Sequence, residues 1–454
     1  MSDQRPFACT RRGFLAALSM TATVAWSESL WADERPEVSD PRATSGDAAV
    51  EPEWEKRLAI SVGPEKADVV GATQQAIQAA VDYVAGLGGG TVRILPGTYR
   101  LRNAVYLRSR VRIIGSGEAT VLIKEPSKTT KLAADSDWFD QEITLADADG
   151  FEIGDGVCIR TKDGSDVVKR TLVARSGSRF RLDRALRKNF WRAQEATAST
   201  LFPLFSGEEI ADVAIEDLVL DGNKGRNENL NGNYAGCIFV QDCNRLQFRG
   251  LTTRNYDGDG ISWQVCHDVF VENCHSHDNT GLGLHPGSGS QRPVIRNNRL
   301  LRNGIGLFFC WGVRHGLAEG NVIEDTAMAG ISIGHHDTDN LVTGNTVRRS
   351  GKVGVLFRPE RGKDFAGHRN RLEKNRIEDS GGEEGIGIDI QGGTEKIVLR
   401  GNQLVETRGP ARRIGVRLGA ETGDITLAEN TIQGFAMEVQ DLRKRIVVEE
   451  REPR

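Results

Sequence analysis

Gly260-Ile261-Ser262-Trp263, Gly283-Leu284-His285-Pro286, Gly306-Leu307-Phe308-Phe309 and Gly330-Ile331-Ser332-Ile333 state one phrase four times. The glycines return after 23, 23 and 24 residues, and Gly354 follows after 24 more. Further copies begin at Gly354, Gly387 and Gly415, with Val355-Leu356-Phe357, Ile388-Asp389-Ile390 and Val416-Arg417-Leu418. Self-similarity at this period marks a solenoid in which each repeat is one winding around a continuous core. The alternation within each copy is that of a strand, so Ile261, Trp263, Leu307, Phe309, Ile331 and Ile333 point inward. Ser262, His285, Phe308, Ser332, Leu356 and Asp389 then form a column on the outer face of one parallel sheet, with windings about 4.8 Å apart.

A second column supports this register. Asn273, Asn298, Asn321, Asn345, Asn375, Asn402 and Asn430 recur at matching places. Asn tolerates the left-handed backbone of a sharp corner, and stacked Asn amides can bond along the axis. The ladder is structural. The reading is therefore an all-β chain, a right-handed parallel β-helix with windings of about 23–24 residues.

Composition agrees. Gly supplies 52 of 454 residues, above the usual share of about 7%, and a fold with many tight turns uses them. The formal charge of -4 argues against a nucleic-acid partner, which a basic chain would suit. Residues 1–32 read as a twin-arginine signal peptide, with Thr10-Arg11-Arg12-Gly13-Phe14-Leu15 before an apolar run. This implies a periplasmic or extracellular protein without stable membrane insertion. Residues 33–60 read as a linker, 61–439 as the β-helix domain and 440–454 as a charged tail. Residues 135–205 break the repeat and read as a small β-rich insertion. Residues 73–85 carry apolar positions at helical spacing behind Thr73, and are expected to cap the open end of the solenoid. Cys243 and Cys266 hold equivalent places in adjacent windings, where stacked thiols are expected rather than a disulfide.

The run Ala76-Ile77-Gln78-Ala79-Ala80-Val81, followed by Gly88-Gly89-Gly90-Thr91-Val92-Arg93-Ile94-Leu95-Pro96-Gly97-Thr98-Tyr99, resembles the opening segment of the pectate-lyase-like β-helix superfamily. The later repeats extend the resemblance to about residue 439. It implies this fold, and a superfamily of lyases, hydrolases, epimerases and phage tailspikes, so function must come from the site.

Histidine marks the candidate site. Seven of the eight (267, 275, 277, 285, 315, 335 and 336) fall within 70 residues. His335 and His336 leave one strand, with Trp311 one winding earlier, Arg358 one later, and Asp337 and Glu360 close by. Elimination or epimerisation at an acidic sugar needs a base, a cation for the carboxylate and an acid for the leaving oxygen. Gly330-Ile331-Ser332-Ile333-Gly334-His335-His336-Asp337 resembles the Asp-Pro-His-Asp strand of the alginate epimerases, without its Pro. That resemblance implies His335 or His336 as base and Arg358 as carboxylate clamp. His335, His336, Arg358 and Asp337 are the candidate catalytic residues, and His285, Trp311, Gln264, Glu360 and Asp389 the candidate sugar contacts.

An alternative is a glycoside hydrolase using Asp257, Asp259 and Asp278. Asn255-Tyr256-Asp257-Gly258-Asp259-Gly260-Ile261 is similar to the Asn-Thr-Asp-Gly strand of polygalacturonases, although that family's Gly-His-Gly is Ala329-Gly330 here. The same carboxylates suit an inverting acid–base pair, a Ca²⁺ site or plain turn-forming Asp residues. No other cofactor is implied, and the histidine spacing does not suit zinc. A third reading is a β-helix that grips a glycan without reacting.

Overall fold

The structure, a computed structural model, describes residues 53–443. The signal segment 1–32 and the end of the charged tail lie outside them. Three long parallel sheets form the walls of the solenoid, the first of 13 strands and the second and third of 11 each. One winding visits them in turn. Asp259–Gln264 lies in the third sheet, His267–Glu272 in the first and His275–His277 in the second, and Leu282–Pro286 returns to the third. The chain is a right-handed parallel β-helix.

The register is the one the repeat requires. Ser262 pairs with His285, Phe308 with Ser332, Ser332 with Leu356, and Leu356 with Asp389. Ile261, Trp263, Leu307, Phe309, Ile331 and Ile333 are wholly buried. Each corner of this winding has one left-handed residue, Val265, Asn273 and Asp278, which lets the chain turn sharply between flat walls.

The Asn ladder runs from Asn298 through Asn321, Asn345, Asn375 and Asn402 to Asn430, at 2.8 to 3.0 Å per amide–amide bond. Asn273 is not part of it. Cys274 holds the equivalent place, its backbone N–H donating to Asn298 Oδ1 at 2.9 Å, while Asn273, one residue earlier, is the left-handed corner residue.

Strand Ala59–Gly63 pairs with Gly90–Ile94, so the solenoid begins inside the segment read as linker. At the other end Met437–Asp441 pairs with Ile414–Leu418. The helix Gln74–Gly86 covers the first windings with Ile77, Ala80, Val81 and Val84 buried. Thr73 stands at its N-cap position, but its side chain makes no cap bond. The repeat-breaking segment forms a six-stranded antiparallel sheet between Thr129–Lys131 and Thr197–Ser199, with its own core of Phe151, Phe180 and Phe190. It leaves the second sheet after Lys124 and rejoins the third at Phe205. The six described cysteines are free. A bond to Cys266 pulls the Cys243 thiol down, whereas burial pushes Cys266 up.

Candidate functional site

The corner leading from the third sheet to the first gathers several of the predicted residues. Trp311 sits there in a left-handed conformation and is 54% exposed. Its ring lies 4.7 Å from that of His335, which in turn lies 4.6 Å from His336. Phe365 contacts both imidazoles at 5.2 Å. Phe365 comes from an excursion after Phe357, where the interval between repeat glycines grows from 24 to 33 residues (Gly354 to Gly387). That lengthened interval was the available signal for it.

Glu360, from the same excursion, fixes His335. Its Oε1 accepts the His335 backbone N–H at 2.9 Å, and its Oε2 lies 3.4 Å from Nδ1. A carboxylate on Nδ1 orients an imidazole and sets its tautomer. Glu360 is thus a positioning group rather than a sugar contact.

Arg358 and Asp337 take roles other than the expected ones. Arg358 Nη1 donates to Ser332 Oγ at 2.9 Å, and Nη2 donates to Phe309 O at 3.0 Å and Asp337 Oδ2 at 3.2 Å. Its Nε lies 3.5 Å from Glu360 Oε1, and the guanidinium covers the Phe308 ring at 4.4 Å. A guanidinium so engaged has little left for a substrate carboxylate, and Arg358 acts as a strut. Asp337 is fully buried and accepts the backbone N–H groups of Gly312, Val313 and Gly334 at 2.8 to 3.0 Å. Burial pushes its carboxyl up, against Arg358 and those amides, which pull it down. It ties corners together and is not placed to exchange protons with a ligand.

Arg314 is one cation at this corner, and Arg361, 5.1 Å over the Phe365 ring, is another. Arg314 lines a shallow depression of about 260 Å³ together with His336, Gln291, Gly289 and Gly312. Among the described residues its side chain forms no ion pair. Burial first, then the neighbouring His335 and Arg314, lower His336 from its ordinary value, which favours the neutral imidazole. Arg314 was missed because the expected site followed the strand column. Yet Gln291, Arg314 and Thr338 pair as bridges at intervals of 23 and 24 residues, the period of the solenoid.

The outer column itself is partly covered. His285 is 3% exposed, with Nδ1 2.8 Å from Asp259 Oδ2 and 3.3 Å from Ser262 Oγ. Ser262 donates to Gly232 O at 2.7 Å, so the loop between the second and third sheets lies over this part of the column. A Cβ on Gly232 would stand 1.7 Å from Asp259 Oδ2, and that approach requires glycine. Gln264 is buried, donating to Ser262 Oγ and accepting from Ser288 N, both at 3.0 Å. Asp389 is buried against Arg417, at 2.9 and 2.5 Å. His285, Gln264 and Asp389 therefore do not meet a sugar chain on this surface. Of the expected contacts, Trp311 presents an exposed ring.

The carboxylates of the alternative site are not gathered. Asp257 accepts from Thr280 Oγ1 at 2.6 Å and from Asn229 Nδ2 at 3.1 Å. Asp259 is buried on His285 and the Leu282 amide. Asp278 grips Arg302 at 2.7 Å through both oxygens and lies 2.6 Å from His277 Nδ1. Arg302 first, with His277 beside it, holds the Asp278 carboxyl well below the usual range, against the smaller upward push of burial, which disqualifies it as a general acid. Among the described residues no group of three or more His, Cys, Asp or Glu is placed to hold a metal ion, so the Ca²⁺ expectation at Asp257, Asp259 and Asp278 is corrected.

Compared with known proteins, residues 218–362 match the family described as right handed beta helix region. No curated protein matches by sequence. By structure the chain is similar to the A-module of the mannuronan C-5 epimerase AlgE4 of Azotobacter vinelandii, with a TM-score of 0.53 and 15% identity over 85% of this chain and 100% of that one. It is also similar to PfbA, a surface adhesin of Streptococcus pneumoniae, with a TM-score of 0.54 and 13% identity over 81% and 88%. A glycoside hydrolase follows at 0.50 and 11% identity over 83% and 97%. At such identities the likeness concerns the fold. Among the described residues no helix is long and apolar enough to cross a membrane.

Proposed function

From the premise of a right-handed parallel β-helix, we propose that this chain is an exported polysaccharide-active protein that removes a proton from an acidic sugar at the Trp311–Arg314–His336 corner. The observation that carries the reading is that Arg314, without an ion pair among the described residues, and His336, lowered by burial, line one depression beside an exposed indole. The likeness to a mannuronan C-5 epimerase supports the same class of work, and the Arg11-Arg12 segment supports export.

The chemistry follows from the parts. A sugar ring lies on the Trp311 face, which offers a large apolar surface at low entropic cost. The Arg314 fork matches the uronate carboxylate and takes up the charge that builds on it as the neighbouring C–H bond breaks. His336 accepts that proton, and His335, held by Glu360, packs behind it. Cleavage of the C–O bond on the next ring carbon, its oxygen taking a proton from water, then gives an unsaturated product, whereas return of a proton to the opposite face gives the epimer. The shallowness of the depression favours a second reading, in which the same corner grips the chain without reacting.

One assay series separates these outcomes. The purified protein is incubated in deuterated water with uronate-containing and neutral polysaccharides, and ultraviolet absorbance of an unsaturated uronate, reducing ends and deuterium at the sugar carbon beside the carboxylate are followed. Unsaturation or deuterium uptake that disappears in His336→Ala supports the proposal. Reducing ends without either signal, or full turnover in His336→Ala, overturns it, and binding without any change in the sugar leaves the gripping reading.

A further inference from the structure

A second cavity lies elsewhere, between the antiparallel insertion and the first windings of the third sheet. It measures about 660 Å³, and its lining includes Tyr106, Lys169, Arg170, Arg184, Phe202 and Phe239. Tyr106, Ser206 and Phe239 belong to the outward column of the third sheet, since Tyr106 pairs with Ser206, Ser206 with Phe239, and Phe239 with Ser262. The insertion therefore roofs the near end of the face on which the solenoid presents its column.

The cleft sets Arg108, Lys169, Arg170 and Arg184 against Asp183, Glu208 and Glu209. Arg108 is matched by Asp82 at 2.8 Å, and Arg184 lies 3.6 Å from Glu208 and 4.0 Å from Asp183. Lys169 and Arg170 have no carboxylate partner among the described residues. Arg170 donates to the carbonyls of Ala185, Leu186 and Lys169 itself. Lys169 donates to Tyr234 O and packs its ammonium 3.8 Å from the centre of the Phe239 ring. Two adjacent cations in a walled space, with Glu208 acting on both only from beyond ion-pair distance, are costly for a protein to maintain. An anion that enters the cleft removes that cost, and the Tyr106 ring, 36% exposed, gives a sugar a face to lie on.

We propose that the cleft beneath the insertion is a binding subsite for an anionic sugar, with Lys169 as the principal contact to its carboxylate or sulfate. The subsite goes beyond the corner chemistry and stands on its own residues whether or not that corner turns over substrate. Burial pulls the Lys169 ammonium down to about 8. The charged groups facing it are Glu208 and Arg184, with Arg170 beside it. Cys158 across the sheet is pushed up to about 11 by burial, and burial also raises Tyr106. Lys169 is thus the group that changes charge near pH 8, and an anion beside it favours the protonated form. Affinity is greatest below that value and falls as pH rises through it.

Calorimetric titration of the full chain with a galacturonate hexamer, a sulfated hexasaccharide and a neutral xylose hexamer tests this. The anionic probes bind and the neutral one does not, with affinity weaker at pH 9.5 than at pH 7 by about tenfold or more. Lys169→Met, which keeps the apolar stem, lowers affinity by about tenfold or more, whereas Lys169→Arg restores it. His336→Ala leaves this binding unchanged, which separates failure of the subsite from failure of the corner. Should Lys169→Met not fold, the wild-type chain still reports. A lysine of lowered pKa reacts early with an acylating reagent, and the bound hexamer protects it, as mass spectrometry reads. Equal binding of neutral and anionic probes, undiminished affinity in folded Lys169→Met, or unprotected Lys169 overturns the proposal.

Discussion

Asp337 Oδ2 lies 3.2 Å from Arg358 Nη2, and the Asp337 side chain is wholly enclosed. The pair links the corner after one third-sheet strand to the end of the next, and the Gly312, Val313 and Gly334 amides converge on the same carboxylate. Breaking such a buried pair from one side strands the other charge. Asp337→Ala and Arg358→Ala are each expected to cost about 3–5 kcal/mol in denaturant unfolding. The double variant is expected to cost less than the sum. Additive losses would mean that the two groups do not depend on each other.

Arg314 should behave in the opposite way. Its guanidinium forms no ion pair among the described residues, so Arg314→Ala is expected to leave the melting temperature nearly unchanged while lowering turnover of a uronate polymer by about 100-fold or more. The pH profile gives an independent sign. Arg314 is one of the charges that lower His336. Removing it raises the imidazole pKa, and the acid limb of activity moves to higher pH. An unmoved limb would show that His336 does not titrate in the reaction.

The strands, their register and the core were legible in the sequence, because a parallel β-helix repeats one environment and the glycine phrase states its period. Trp263 and Phe309 could be placed inside from alternation alone. The site was legible only in part. Trp311, His335 and Glu360 stand on a corner that the repeat locates, and they do come together. What covers the column was not legible. The loop carrying Gly232 and the six-stranded insertion obey no period, so nothing in the spacing said that His285 and Gln264 would be enclosed. The roles of charged residues were also hidden. Asp337 and Arg358 look like acid and clamp when read singly, and become a strut when their mutual distance is known. Lys169 lies in the aperiodic insertion and gave no signal.

The Asn ladder makes a quantitative claim about stability along the axis. Asn321 is wholly buried; its Oδ1 accepts from Asn298 N and Nδ2, and its Nδ2 donates to Ile295 O and Asn345 Oδ1. Asn321→Ala strands several buried backbone and amide groups and is expected to cost about 2–4 kcal/mol. Asn430, at the end of the described ladder, is half-buried, and its replacement should cost about 1 kcal/mol. Equal losses at both positions, measured by chemical denaturation, would refute a ladder whose interior amides carry more than its end.

His275 supplies a pH dependence of the fold itself. Its ring lies 4.2 Å from that of His277 in the second sheet. Burial first, then His277 and Arg299, lower it to about 4. An unfolded histidine titrates near 6.5, so below that pH the unfolded chain takes up the proton more readily than the folded one. The stability contributed by the neutral ring is present above about pH 6.5 and is lost as pH falls towards about 4. With allowance for partial solvent access, the loss is on the order of 1–2 kcal/mol. His336, also lowered, adds a change of the same sign, so the informative quantity is a difference. The unfolding free energy of His275→Gln should decline less between pH 7 and pH 4.5 than that of the parent chain. Parallel curves for the two proteins would mean that the His275 ring is protonated in the folded state as easily as in the unfolded one.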